Sequence, residues 1–164
     1  MPNNTDWPMT VAPAADLFAG MPGHLLRRCH QISVGIFHEQ CRPFDLTPLQ
    51  FGVLSALAGY GELDQVTLGG VTALDRTTTA HVISKLLDRG LVSRRASCRD
   101  KRFKRVAITA AGRTLLATVQ PVVETVQTEL LSPLTTAEAA TLVSLLQKIA
   151  VEKNHWSRAP HKGG

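Results

Sequence analysis

The sequence predicts a mainly α chain carrying one small β-hairpin. Three observations lead there. Apolar residues fill 44% of the 164 positions while aromatics fill only 5%, so Leu, Val and Ala must supply the core, a composition suited to helix packed on helix. Apolar positions recur at helical spacing over most of the chain. Between Leu91 and Thr109 that period gives way to a period of two, on either side of a charged turn. The length suits one domain with long flanking helices.

Residues 1–20 contain three prolines and little periodicity, and are expected to form an arm. Pro22 then suits a first helical turn. Leu25, Cys29, Ile32 and Ile36 follow on one face, with Leu26, Ser33 and Phe37 beside them, and Pro43 marks the end. Thr47-Pro48 opens a second helix, with Thr as cap and Pro in the first position; Phe51, Leu54, Leu57 and Ala58 make its apolar side, and Gly59 and Gly61 end it. A short third helix fits Leu63 to Leu74. Asp75 caps a fourth helix reaching Arg89, with Val82, Ile83, Leu86 and Leu87 inward and Thr78, His81 and Lys85 outward; Gly90 stops it.

Leu91 to Ala96 and Phe103 to Thr109 are the strands of the hairpin, and Ser97 to Lys101 begin its turn. So small a hairpin must pack beside the fourth helix. Beyond it, Leu115, Leu116, Val119, Val122, Val123, Val126 and Leu130 repeat helically, with a bend expected at Pro121. Thr135 with Glu138 is a capping box for a last helix bearing Leu142, Leu145, Leu146 and Ile149. The tail from Asn154 is polar and expected to fray.

Charge is unevenly placed. Arg76 to Arg113 holds eleven basic residues against Asp88 and Asp100, a net +9, which leaves −4 for the remainder of a +5 chain. Such a basic block is the electrostatic footprint of a polyanion partner. Helix, helix, helix, hairpin, with cations on the last helix and the hairpin, is a winged helix-turn-helix. The division that follows is an arm over 1–20, a dimerisation helix over 21–44, a winged DNA-binding domain over 45–112, C-terminal dimerisation helices over 113–155 and a flexible tail over 156–164. The apolar stripes on the first and last two helices exceed what so small a winged core can cover, so they call for a partner surface.

Several classes fall away. No apolar run is long enough to span a membrane, and the first twenty residues show no signal peptide. Cys29, Cys41 and Cys98 are odd in number and lack C-x-x-C spacing, so a reduced, cytoplasmic protein without structural zinc is expected. No G-x-S-x-G, P-loop or G-x-G-x-x-G is present, so neither an enzyme nor a cofactor is expected.

The run Leu46-Thr47-Pro48-Leu49-Gln50-Phe51 resembles the second helix of the MarR family of transcriptional regulators. So do Leu86-Leu87-Asp88-Arg89-Gly90-Leu91-Val92, the wing-tip D-x-R pattern at Asp100-Lys101-Arg102, and Val106-Ala107-Ile108-Thr109-Ala110-Ala111-Gly112. The resemblance covers about residues 21–152. It implies a homodimer that places the fourth helix of each protomer in the major groove of double-stranded DNA. Thr77, Thr78, Thr79, His81 and Lys85 would then lie near the DNA, the hydroxyls suiting phosphates and base edges and Lys85 a phosphate or guanine, with Arg76 on a phosphate. Arg102 would reach the minor groove or backbone, oriented through Asp100. Arg94, Arg95, Arg99, Lys101 and Lys104 would supply the salt-dependent component. Two-fold symmetry implies a pseudo-palindromic operator, and repression is the family default.

Relatives commonly respond to small phenolic or aromatic carboxylate ligands. His24, Arg27 and Arg28 are the candidate anion site, His24 and Arg28 sharing a face at i, i+4. Phe44, Phe51 and Leu54 are candidate apolar walls. Two other readings stand beside this one. Cys29 follows Arg28, a cation beside a thiol that would suit a redox sensor. A winged helix can also serve as a protein-binding adaptor, although an adaptor has no need of a +9 block.

Overall fold

The computed structural model describes residues 18–96 and 104–161. Helix α1 spans Pro22–Cys41, with Pro in its first turn as expected. Only Phe37 and Cys41, near its C-terminal end, are buried. Leu25, Leu26 and Ile32, further up, are 44–51% exposed. A 3-10 turn at Arg42–Phe44 and a left-handed Asp45 (φ 48°) reverse the chain. Helix α2, Pro48–Tyr60, opens on a full capping box. Thr47 Oγ1 accepts from the Gln50 N–H, and Gln50 Oε1 accepts from the Thr47 N–H.

The expected third helix divides in two. Leu63–Asp64 forms strand β1, and only Gln65–Thr72 is helical, as α3. Asp64 serves both elements. Its backbone pairs with Arg105, and its carboxylate accepts from the Val66 and Thr67 N–H groups to cap α3. Ala73, left-handed at φ 52°, ends α3 and turns the chain into α4, Arg76–Asp88, capped by Asp75. At the far end Gly90 (φ 66°) lets the Leu91 N–H reach Leu86 O and its own N–H reach Leu87 O, a Schellman ending.

Strands β2 (Val92–Ala96) and β3 (Lys104–Ile108) pair antiparallel, with Val92 opposite Ile108 and Ala96 opposite Lys104. The hairpin is not alone: β1 adds to the other edge of β3, giving the order β1-β3-β2. Leu63 lies opposite Val106, whose side chain is buried. The added strand covers an edge that a two-stranded hairpin would leave open.

Helix α5, Ala110–Leu131, runs unbroken through Pro121 and packs along α1, where Thr125 Oγ1 donates to Gln40 Oε1 at 2.6 Å. Its first turn lies hard against the end of α4: Thr109 Oγ1 donates to Gly90 O, and Gly112 passes Leu91 O so closely that a Cβ would stand 2.2 Å from it. Helix α6, Thr136–Glu152, starts on the expected Thr135–Glu138 box. None of its residues is buried among the described residues, and Leu145 and Ile149 are more than half exposed. The core centres on the winged unit, where Leu54, Leu57, Leu68, Ile83 and Leu86 are fully buried together with Val106, and it continues into α5 through Val119 and Val126 and to the end of α1 through Phe37 and Cys41. No helix among the described residues is long and apolar enough to cross a membrane.

Candidate nucleic-acid interface

Helix α4 divides its residues as its period requires. Val82, Ile83 and Leu86 are buried, while Arg76, Thr77, His81, Ser84 and Lys85 are exposed along the opposite side. Ser84 belongs to this face at i+3 from His81, and periodicity alone could have found it. The three threonines near the helix start have different surroundings. Thr77 is exposed. Thr78 is half-buried and donates its hydroxyl proton to the Asp75 carboxylate at 2.9 Å, which leaves its oxygen as an acceptor. Thr79 is a correction: it is fully buried, its hydroxyl donating to Asp75 O at 2.7 Å, so it supports the α3–α4 crossing and faces no ligand. Gly69 is the opposing surface there, since a Cβ on it would stand 2.9 Å from Thr79 Oγ1.

Two carboxylates hold the helix starts. The Thr78 N–H, and then its hydroxyl, keep the exposed Asp75 below the usual carboxylate range. At Asp64 burial pushes the pKa upward, but the Thr67 N–H and hydroxyl and the Val66 N–H together outweigh it and bring it below its ordinary value. Both therefore remain anionic caps at neutral pH.

Arg76, Arg94 and Lys104 converge on one open cleft of about 620 Å³ between the start of α3, the start of α4 and the root of the wing, with Asp64 at its edge. Arg95 is exposed on β2. Neighbouring cations are otherwise employed. Arg105 donates to Glu62 O at 3.2 Å. Arg89 donates to the Phe44 and Asp45 carbonyls, tying the end of α4 to the turn after α1. Arg99, Asp100, Lys101 and Arg102, the expected wing tip, lie outside the described residues.

A second cleft, of about 380 Å³, lies between α1, the start of α2 and α4. His30 and His38 come from α1, Thr47 and Gln50 from α2, and His81 and Lys85 from α4. Sequence reasoning missed this convergence, because positions 30 and 81 meet only when α1 and α4 are docked. The expected effector residues do not line it. His24 stands beside Arg27 (3.4 Å) rather than Arg28, with the Phe18 ring over it, and Arg27 also donates to Gln31. These residues sit near the N-terminal end of α1. At ~1.5 Å rise per residue, that is about 20 Å along the axis from Phe37. Phe51 packs on Phe37, and Leu54 is wholly inside the core, so neither it nor Phe44 forms a wall of this cleft. Within one protomer the anion site and its proposed walls are therefore not brought together.

Cys29 is exposed and Cys41 buried, and burial raises the Cys41 thiol pKa, disfavouring the thiolate. Cys98 lies outside the described residues. Among the described residues no group of three or more His, Cys, Asp or Glu is placed to hold a metal ion.

This arrangement has counterparts. A family model described as MarR family matches residues 44–102. The HTH-type transcriptional repressor NicR of Pseudomonas putida is 32% identical over 127 residues, spanning 77% of this chain and 80% of that protein. BpsR of Bordetella bronchiseptica, whose DNA binding is regulated by 6-hydroxynicotinic acid, matches with a TM-score of 0.78 at 34% identity, over 81% of this chain and 95% of its own. A mutant of Escherichia coli MarR complexed with operator DNA matches with a TM-score of 0.73 at 29% identity, over 77% and 91% of the two chains. With its exposed cationic α4 and its wing on a sheet of order β1-β3-β2, the chain belongs to the MarR family of DNA-binding, winged-helix transcriptional regulators.

Proposed function

We propose that this regulator is a repressor that binds a pseudo-palindromic operator as a homodimer and lets go when a small aromatic carboxylate or phenol occupies the cleft between α1 and α4. One observation carries the reading. His81 and Lys85 are exposed on the outer face of α4 and also line that cleft. A ligand there touches the helix that enters the major groove. Three imidazoles and an ammonium group suit a hydroxylated aromatic acid, with the carboxylate toward Lys85 and the ring hydroxyl toward a histidine. BpsR responds to a ligand of that chemistry, and NicR is a repressor. The mechanism is a population shift: the ligand favours a spacing of the two recognition helices that the operator does not, and linkage lowers DNA affinity.

Dimerisation accounts for the apolar residues left exposed on α1 and α6. In a dimer the His24, Arg27 and Arg28 group could serve a cleft only by coming from the other subunit. Expression in the reducing cytoplasm fits the free thiols. The test starts with operator selection from random DNA, followed by titration with 6-hydroxynicotinate and benzoate-type acids. Expected are calorimetric heat and release of the selected duplex, both lost in His30→Ala. If the acids give no heat and the protein–DNA complex ignores them, the aromatic-acid reading is wrong. If Arg27→Ala or Arg28→Ala abolishes release while His30→Ala does not, the carboxylate belongs to the end of α1.

A further inference from the structure

The segment after α6 does not trail away. A 3-10 turn spans Asn154–Trp156, and the Asn154 side chain then closes a loop by donating to His161 O at 2.8 Å and accepting from the His161 N–H at 2.7 Å. Within the loop, Ser157 Oγ accepts from the Ala159 N–H. The loop brings Arg158, Ala159 and Pro160 against the helix-turn-helix, where they share a cleft of about 250 Å³ with Val66, Leu74, Asp75 and Arg76. Ala159 is half-buried there, while Arg158 remains exposed. The guanidinium of Arg158 is near enough to Asp75 to help lower its pKa, yet no ion pair forms between them among the described residues.

We propose that residues 154–161 form a docked strap that presents Arg158 to the DNA backbone beside the start of α4, a third DNA-binding element besides the recognition helix and the wing. Location supports this. In a helix-turn-helix the first helix crosses the backbone and the second enters the groove by its N-terminal end, and the strap sits where α3 and α4 begin. Charge supports it too: residues 153–161 hold no acid, whereas Lys153 and Arg158 are cations. A strap meant to mask the helix from DNA would gain by carrying acids. The clamp gives the third reason. Asn154 fixes the loop backbone before any ligand arrives, so less of the segment has to be ordered on binding.

The inference rests on the DNA-binding reading, and the experiment separates the two. Full-length protein is titrated with a labelled random-sequence duplex across a range of salt concentrations. Four variants accompany the wild type: Arg158→Ala, Arg158→Lys, Asn154→Ala and Lys85→Ala. Arg158→Ala is expected to bind more weakly, with a plot of log affinity against log salt shallower by about 0.9 for each phosphate that is no longer neutralised. Arg158→Lys should keep most of the slope, and Asn154→Ala should lose part of it, since the cation remains but its clamp is gone. Arg158 is exposed, so unfolding is not expected, and circular dichroism checks it. Wild-type affinity and slope in both Arg158→Ala and Asn154→Ala would overturn the proposal, and tighter binding in either would make the strap inhibitory. Failure of the wild-type protein to bind duplex at all would instead remove the DNA-binding reading itself.

Discussion

Thr78 and Thr79 differ by one position on a helix, and therefore by about 100° of rotation. That rotation directs Thr78 toward the solvent-facing side and puts Thr79 fully inside, against Gly69. From residue type alone the three hydroxyls at positions 77–79 are equivalent. Gly112 shows the same dependence on close approach. It sits in the first turn of α5, where any Cβ would overlap Leu91 O. Gly112→Ala is expected to destabilise the fold by about 1–3 kcal/mol, because that backbone carbonyl is already held by the Thr109 N–H and has nowhere to go. A lowered thermal midpoint checks it, and an unchanged one would mean that α5 shifts freely against the end of α4.

Among the elements, the helix starts were the most legible part of the chain. Thr47, Asp75 and Thr135 all cap where they were expected, because a cap is a bond between a side chain and a backbone two or three residues away. β1 was not legible. Two residues carry no period, and Leu63 becomes a strand only because β3 offers it an open edge. The caps also predict a pH response. Asp64, Asp75 and Glu138 all have folded pKa values below their ordinary ones. Their contribution is therefore complete above the unfolded carboxylate range, about pH 4, and is lost as pH falls through the lower folded values. Thermal melts from neutral to acid pH should show the midpoint falling on the acid side. In Asp64→Asn, whose amide oxygen still accepts but does not titrate, the melting point should start lower at neutral pH and fall less steeply. An acid limb as steep as the wild type's would exclude Asp64 as a contributor.

At the scale of the molecule, the winged unit is a closed core and the two ends are not. Leu57, Ile83 and Leu86 are wholly covered, while Leu145 and Ile149 on α6 and Ile32 on α1 are about half exposed or more. If a second copy covers them, Ile149→Glu should shift the protein toward monomer in sedimentation while leaving the helical signal in place, and should weaken operator binding, since one winged unit then binds without the other. A variant that still sediments as a dimer would locate the interface elsewhere on α1 or α5.

The amino-acid order alone determined where the helices other than α3 begin, the change of period at Gly90 and the placing of a cationic module in the second half of the chain. Each of those rests on forces acting within a few residues or on a simple sum of charge. Tertiary structure decided which hydroxyl is buried, which strand closes the sheet, that His30, His38 and His81 share one cleft, and that the tail folds back to α4. Those depend on how helices cross and how closely backbones approach, and residues on separate elements carry no local mark of where packing will bring them.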